Sequence, residues 1–230
     1  MSVDREWAAI IYKLQVSYFL VYVFNCTLGA TLNIYTMSEF WLYLRLGFNH
    51  VLDWQAYDHV LFLLVLVVGY TFDYWKRILL LTTLFTIGHT ISLFLGVYKV
   101  IQVNSSIVEF LIPITILITA IFNIMTAKTG PKHKLSVVFY GLTVFFGLIH
   151  GLGFYGHYKM ISSSSSSKIL TLLEFALGIE FAQIAIVLLV LIVSFLVQLF
   201  FRFPKRDWIL VVSSIVIGMV IPMLISNRIW

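Results

Sequence analysis

Residues 169–200 read ILTLLEFALGIEFAQIAIVLLVLIVSFLVQLF, a long apolar run whose only charged residues are Glu174 and Glu180. A bilayer's hydrocarbon core is crossed by roughly 20 mostly apolar helical residues, so this run alone spans a membrane. It shows none of the period-2 alternation in ten-residue segments that a transmembrane barrel requires. Comparable runs lie at approximately 56–75, 78–98, 106–127, 135–155 and 208–226. The expected fold is all-α: a polytopic membrane helical bundle of six core transmembrane helices. A further run at 14–35 contains Asn25 and Asn33 and lacks a small-x-small cleavage site, so it reads as an extra N-terminal helix rather than a signal peptide. The mixed aromatic and charged stretch from Ser38 to Leu44 suits a helix lying in the interface.

Composition agrees. The chain of 230 residues is 61% hydrophobic and 11% charged, with a mean hydropathy of +1.00. A soluble domain carries about 25% charged residues, so a water-soluble globule is excluded. The single cysteine, Cys26, allows neither an internal disulfide nor a thiolate cluster. The formal charge of +5 is gathered between apolar runs and forms no basic stripe, so nucleic acid is not an expected partner. The lipid bilayer is.

Charge clusters orient the spans. One set of connections carries Lys76, Arg77, Lys128, Lys132, Lys134, Arg202, Lys205 and Arg206. The other carries the more scattered Arg45, Lys99, Lys159, Lys168 and Arg228. Placing the clusters inside puts His50 outside. The loop 162–167 is six consecutive serines, read as a solvated outer connection, and His133 and His157 read as solvated loop residues.

Ionisable groups within a bilayer are costly and mark functional positions. Counted at about 1.5 Å per residue, Asp58 and His59 open the first core span, His89 lies mid-way along the second, and Glu109 near the outer start of the third. His150 lies near the outer end of the fourth, Glu174 and Glu180 in the outer half of the fifth. Each has a plain alternative. Asp58 is placed to cap a helix, and His50 and His59 to sit in the interface. The glycines of Gly147-Leu148-Ile149-His150-Gly151 are accounted for by close helix packing, though the histidine is not. Thr82, Thr86, His89 and Ser92 share one helical face, as do Glu180 and Gln183. Glu109, Thr119 and Asn123 fall near another. Taken together, histidines and carboxylates at similar depth on several helices form a ligand set for borderline divalent metals such as nickel, cobalt, zinc or iron.

These stretches resemble the HupE/UreJ hydrogenase and urease accessory membrane proteins. Gly47-Phe48-Asn49-His50-Val51-Leu52 with Tyr57-Asp58-His59-Val60-Leu61-Phe62-Leu63 is similar to the first signature. Phe85-Thr86-Ile87-Gly88-His89-Thr90-Ile91-Ser92-Leu93 is similar to the second, and Ser106-Ile107-Val108-Glu109 with Asn123 to the third. Phe146-Gly147-Leu148-Ile149-His150-Gly151-Leu152-Gly153-Phe154 and Gly178-Ile179-Glu180-Phe181-Ala182-Gln183 complete the series over about 37–230. The interval from His50 to Asp58 is longer than in the hydrogenase-linked members, and the first 36 residues have no counterpart. The expected organisation is therefore an extension at 1–36 and a six-helix domain at 37–230.

The resemblance implies a multi-pass nickel or cobalt permease, expected in a bacterial cytoplasmic (inner) membrane, and the charge clusters put its metal cluster toward the outer face. His59, His89 and His150 would be ligands, with His50, Asp58, Glu109 and Glu180 as further ligands or orienting carboxylates. The inner half offers few polar groups for a route, chiefly Thr82, Thr83, Asn123 and Gln198. The alternative is a membrane-embedded zinc-dependent hydrolase acting on a lipid or membrane peptide, with Glu180 or Glu109 as the general base. The expected cofactor or cargo is a divalent nickel, cobalt or zinc ion.

Overall fold

The structure is a computed structural model that describes residues 37–54, 57–128, 136–161 and 167–229. The expected helix at 14–35, the loop histidine His133 and most of the serine run lie outside the described residues. The chain divides between Leu42 and Tyr43 into two units. Residues 37–42 are helical in the smaller unit, and everything that follows concerns the larger one.

Among the described residues the larger unit is helical and has no strand. Residues 43–51 form α1. They are followed by α2 (Asp58–Val67), a 3-10 turn (Phe72–Tyr74), α3 (Trp75–Val97), α4 (Ser105–Thr126), α5 (Ser136–Ile161), α6 (Lys168–Phe201) and α7 (Lys205–Ser226). Among the described residues, five segments are long and apolar enough to cross a membrane: Phe72–Val97, Ser105–Thr126, Phe139–Ile161, Lys168–Phe201 and Lys205–Ser226. The protein is an integral membrane protein.

Helix ends follow local chemistry. Asn104 caps α4 by accepting the Ser106 N–H at 3.0 Å, and Ser167 caps α6 through the Leu170 N–H. The α6–α7 break comes at Arg202, whose φ of 50° leaves the right-handed helix, with Pro204 immediately before α7.

One expected span is corrected. The apolar run 56–75 does not form a full transmembrane helix, because α2 holds only 10 residues, about 15 Å of rise against a hydrocarbon core of about 30 Å. The chain turns at Val68 and Gly69 and re-enters helix through the 3-10 turn. Hydropathy registers apolarity and is blind to such a break. A helix ending inside a membrane leaves carbonyls without partners, and Asn123 of α4 answers one by donating its Nδ2 to the Val65 carbonyl at 2.6 Å.

Two seams hold the remaining helices closely. At the α3–α5 seam, a Cβ added to Gly88 would collide with the Val144 carbonyl, and one added to Gly147 with the Phe85 carbonyl. Gly151 faces the His89 carbonyl and Ser92 Oγ in the same way. At the α1–α6 seam, Gly47 lies against the Phe175 carbonyl and Gly178 against that of Leu44. Reciprocal glycines of this kind let backbones touch where lipid gives no hydrophobic drive for association. The Gly147/Gly151 reading of the sequence is thus realised as backbone contact. Phe62, Phe85, Phe175 and Ile179, all fully buried, fill the space between the seams.

Candidate metal site

The break after α1 brings distant residues together. His50 ends up in the last turn of α1, and the chain turns back so that Asp58 and His59 open α2. Their imidazoles stand with ring centroids 4.7 Å apart. His89, from the middle of α3, lies 5.7 Å from both His50 and His59. His150 of α5 approaches His59 at 5.3 Å. One ligand nitrogen from each of His50, His59 and His89 falls within 4.8 Å of the others. Nitrogens about 2.1 Å from a shared tetrahedral ion stand ~3.4 Å apart, a spacing that falls inside that limit.

Hydrogen bonding fixes which nitrogen of each ring is available. Asp58 Oδ1 accepts the backbone N–H of His59 at 2.8 Å and lies 3.0 Å from His59 Nδ1. An ionised carboxylate only accepts, so Nδ1 carries the proton and Nε2 keeps its lone pair. Asp58 stands in the first turn of α2 rather than at its N-cap, which is Tyr57, and is the partner of His59. His150 Nδ1 lies 2.8 Å from the Phe146 carbonyl, which leaves its Nε2 with the lone pair. The Nε2 atoms of His50, His59 and His150 have no hydrogen-bond partner among the described residues, and neither nitrogen of His89 has one. His89 is 0% exposed.

The rest of the α3 polar stripe is satisfied. Thr82 donates to the Leu79 carbonyl at 2.9 Å and Ser92 to that of His89 at 2.8 Å. Five buried nitrogens without a hydrogen-bond partner among the described residues belong to these four imidazoles. Orphaned buried polar atoms carry a cost of about 1–3 kcal/mol each, and a cation accepting their lone pairs would remove it. Carboxylate-oriented histidine is also the usual partner arrangement of a metal ligand. The donor set, nitrogen-rich with no thiolate, suits nickel, cobalt or zinc.

Aromatic rings wall the site. Phe154 lies 3.8 Å from His50 and is stacked on Phe175 at 5.4 Å. Phe62 and Phe85 stack at 4.8 Å and contact His150 at 5.4 and 5.0 Å. The sequence gives no sign of these partnerships, which join residues of different helices.

The carboxylates expected at the site are placed differently. Glu180 holds Thr83 Oγ1 on one oxygen at 2.6 Å and Thr86 Oγ1 on the other at 2.5 Å. Thr86 is one turn of α3 from His89, so Glu180 sits beside the histidines at mid-helix depth rather than among them. The sequence singles out Thr83 only as an inner-half polar group; its pairing with Glu180 depends on the register of α3 against α6. Gln183, one turn along α6, is fully buried with no partner for either amide atom among the described residues. Glu109 is exposed on α4 and stands outside the group; its backbone carbonyl accepts from Asn227 at 3.0 Å. It therefore does not share a buried face with Thr119 and Asn123. Glu174 is buried on α6. His157 is in α5, not in a loop, though exposed as expected.

A family model described as HupE / UreJ protein matches residues 29–228. The chain belongs to the HupE/UreJ family. Its match begins upstream of Met37, taking in residues 29–36. Searches of curated proteins and of solved structures returned no match. Every histidine brought together here falls within the matched region of this HupE/UreJ protein, as do Asp58 and Glu180.

Proposed function

We propose that this HupE/UreJ protein is a permease for a divalent transition-metal cation of the nickel and cobalt class, the family being one of nickel and cobalt accessory and transport proteins. His50, His59, His89 and His150 supply imidazole nitrogens to the travelling ion, and Asp58 orients His59. The observation that carries the reading is the convergence of unpartnered imidazole nitrogens from α1, α2, α3 and α5 in one buried place. The ion is cargo, held by neutral nitrogen ligands that exchange readily.

The next polar position supports passage. Glu180, steadied by Thr83 and Thr86 one turn along α3, offers oxygen ligands and negative charge to an ion leaving His89, and buried Gln183 continues the direction along α6. Asn123, by contrast, is taken up by the Val65 carbonyl, so its role is to complete α2. The charge clusters orient the histidines toward the outer face of a bacterial cytoplasmic membrane. The hydrolase alternative needs a free carboxylate beside the open metal position. Asp58 is bound to His59, Glu180 to two threonines, and Glu109 lies away on α4, so we carry it no further.

The test is elemental analysis and titration of the detergent-purified protein, with uptake measured in proteoliposomes. Wild type binds Ni²⁺ or Co²⁺ reversibly, and His89→Ala and His150→Ala lose that binding. Glu180→Gln retains binding and transports more slowly. Tightly held zinc that survives dialysis, or no binding at all, refutes the permease.

A further inference from the structure

His157 is left unused by this account, yet its position is particular. It lies seven residues beyond His150, two turns and about 10.5 Å further along the same face of α5. Phe154 stands between them. The exposed imidazole of His157 lies nearly parallel to the Phe154 ring, at 5.9 Å and 11°. Phe154 in turn touches His50, its centroid 3.8 Å away. His50 then contacts His59 and His89. From water inward the rings therefore run His157, Phe154, His50, His59 and His89.

The series passes from an exposed imidazole to fully buried ones through a single apolar ring. Phe154 cannot bind a cation through a lone pair. It stacks beside His157 and against His50, whose Nε2 is buried without a partner among the described residues. Phe154 and His157 are i, i+3 neighbours on α5, so one helix sets the exposed imidazole beside the ring that also touches His50.

We propose that His157 is the capture ligand of the pathway: it takes a hydrated divalent cation of the nickel and cobalt class from the aqueous side at the end of α5 and passes it to His50 past Phe154. This rests on the permease reading of the buried histidines and names how that site is loaded. The step is a ligand exchange. A water leaves the ion as an imidazole nitrogen of His157 binds, and that bond is replaced by His50 Nε2 as the ion moves inward.

The experiment follows Co²⁺ loading of the metal-free full chain in detergent by stopped-flow absorbance, at low micromolar metal. Wild type is compared with His157→Gln and His157→Ala. The expected result is loading slowed about tenfold, the lower end of what an outer partner of a metal site contributes. Final stoichiometry, equilibrium affinity and melting temperature stay at wild-type values. Unchanged loading rates in both variants overturn the inference and leave the permease reading standing. A loss of equilibrium affinity or stoichiometry also overturns it, since His157 would then belong to the closed site. Failure of wild type to bind Co²⁺ removes the permease reading, and the inference with it.

Discussion

Asp58→Asn isolates the link between fold and ligand. Asp58 Oδ1 receives the backbone N–H of His59 at 2.8 Å and lies 3.0 Å from its ring Nδ1, with the Asp58 side chain only 15% exposed. Asparagine keeps the shape and removes the charge. A hydrogen bond to a charged acceptor is worth about 1.5–3 kcal/mol and a neutral one about 0.5–1.5, so the ring loses about 1–1.5 kcal/mol of orientation. That corresponds to about tenfold in metal affinity, at 1.4 kcal/mol per decade. Asp58→Ala removes the partner altogether and should cost up to about a hundredfold. Calorimetric titration of the purified variants with Ni²⁺ at one pH measures both, and unchanged melting of the metal-free protein separates ligand orientation from misfolding. Affinities in both variants indistinguishable from wild type would refute the argument. A loss beyond about a thousandfold in Asp58→Ala, more than orientation supplies, would make Asp58 itself a ligand.

Two further outcomes follow from buried groups. His89→Leu removes two nitrogens that have no partner among the described residues, so metal binding is lost while the metal-free protein melts higher, stabilised by about 2–6 kcal/mol at about 1–3 for each nitrogen; a lower melting point in chelator-treated protein would contradict this. Asn123→Leu strands the Val65 carbonyl and should destabilise the protein by about 1–3 kcal/mol without changing metal content, checked by thermal denaturation beside elemental analysis.

Most of the bundle was legible because continuous apolarity and helix length speak the same language in a membrane. The run 106–127 appears as Ser105–Thr126, and 169–200 as Lys168–Phe201. The run 135–155 was cut short, since hydropathy falls at Gly156 and His157 while the helix continues to Ile161. There buried Tyr158 donates its hydroxyl to Thr171 at 3.2 Å and ties the last turns of α5 to α6. The failure at 56–75 has the opposite cause, an apolar stretch with a broken backbone. The α3 stripe was readable from spacing alone, because every member lies on one helix. The grouping of His50 with His89 and the pairing of Glu180 with Thr83 depend on how separate helices are rotated against each other, and one-dimensional periodicity carries no such information. Glu109 shows the same limit: its depth was readable, but the face it occupies was not.

The glycine seams have a mechanical corollary. Where backbone meets backbone, neither helix of a pair can tilt without the other, so α3 moves with α5 and α1 with α6. His89 and His150 then ride on one stiff couple and His50 on the other, with His59 on the short α2 between them. An ion gripped by all of them works as a strut joining two plates. Sliding the plates apart would break the Glu180 bonds to Thr83 and Thr86 that already join α6 to α3, and on the permease reading it would dismantle the ion's coordination as a unit rather than nitrogen by nitrogen.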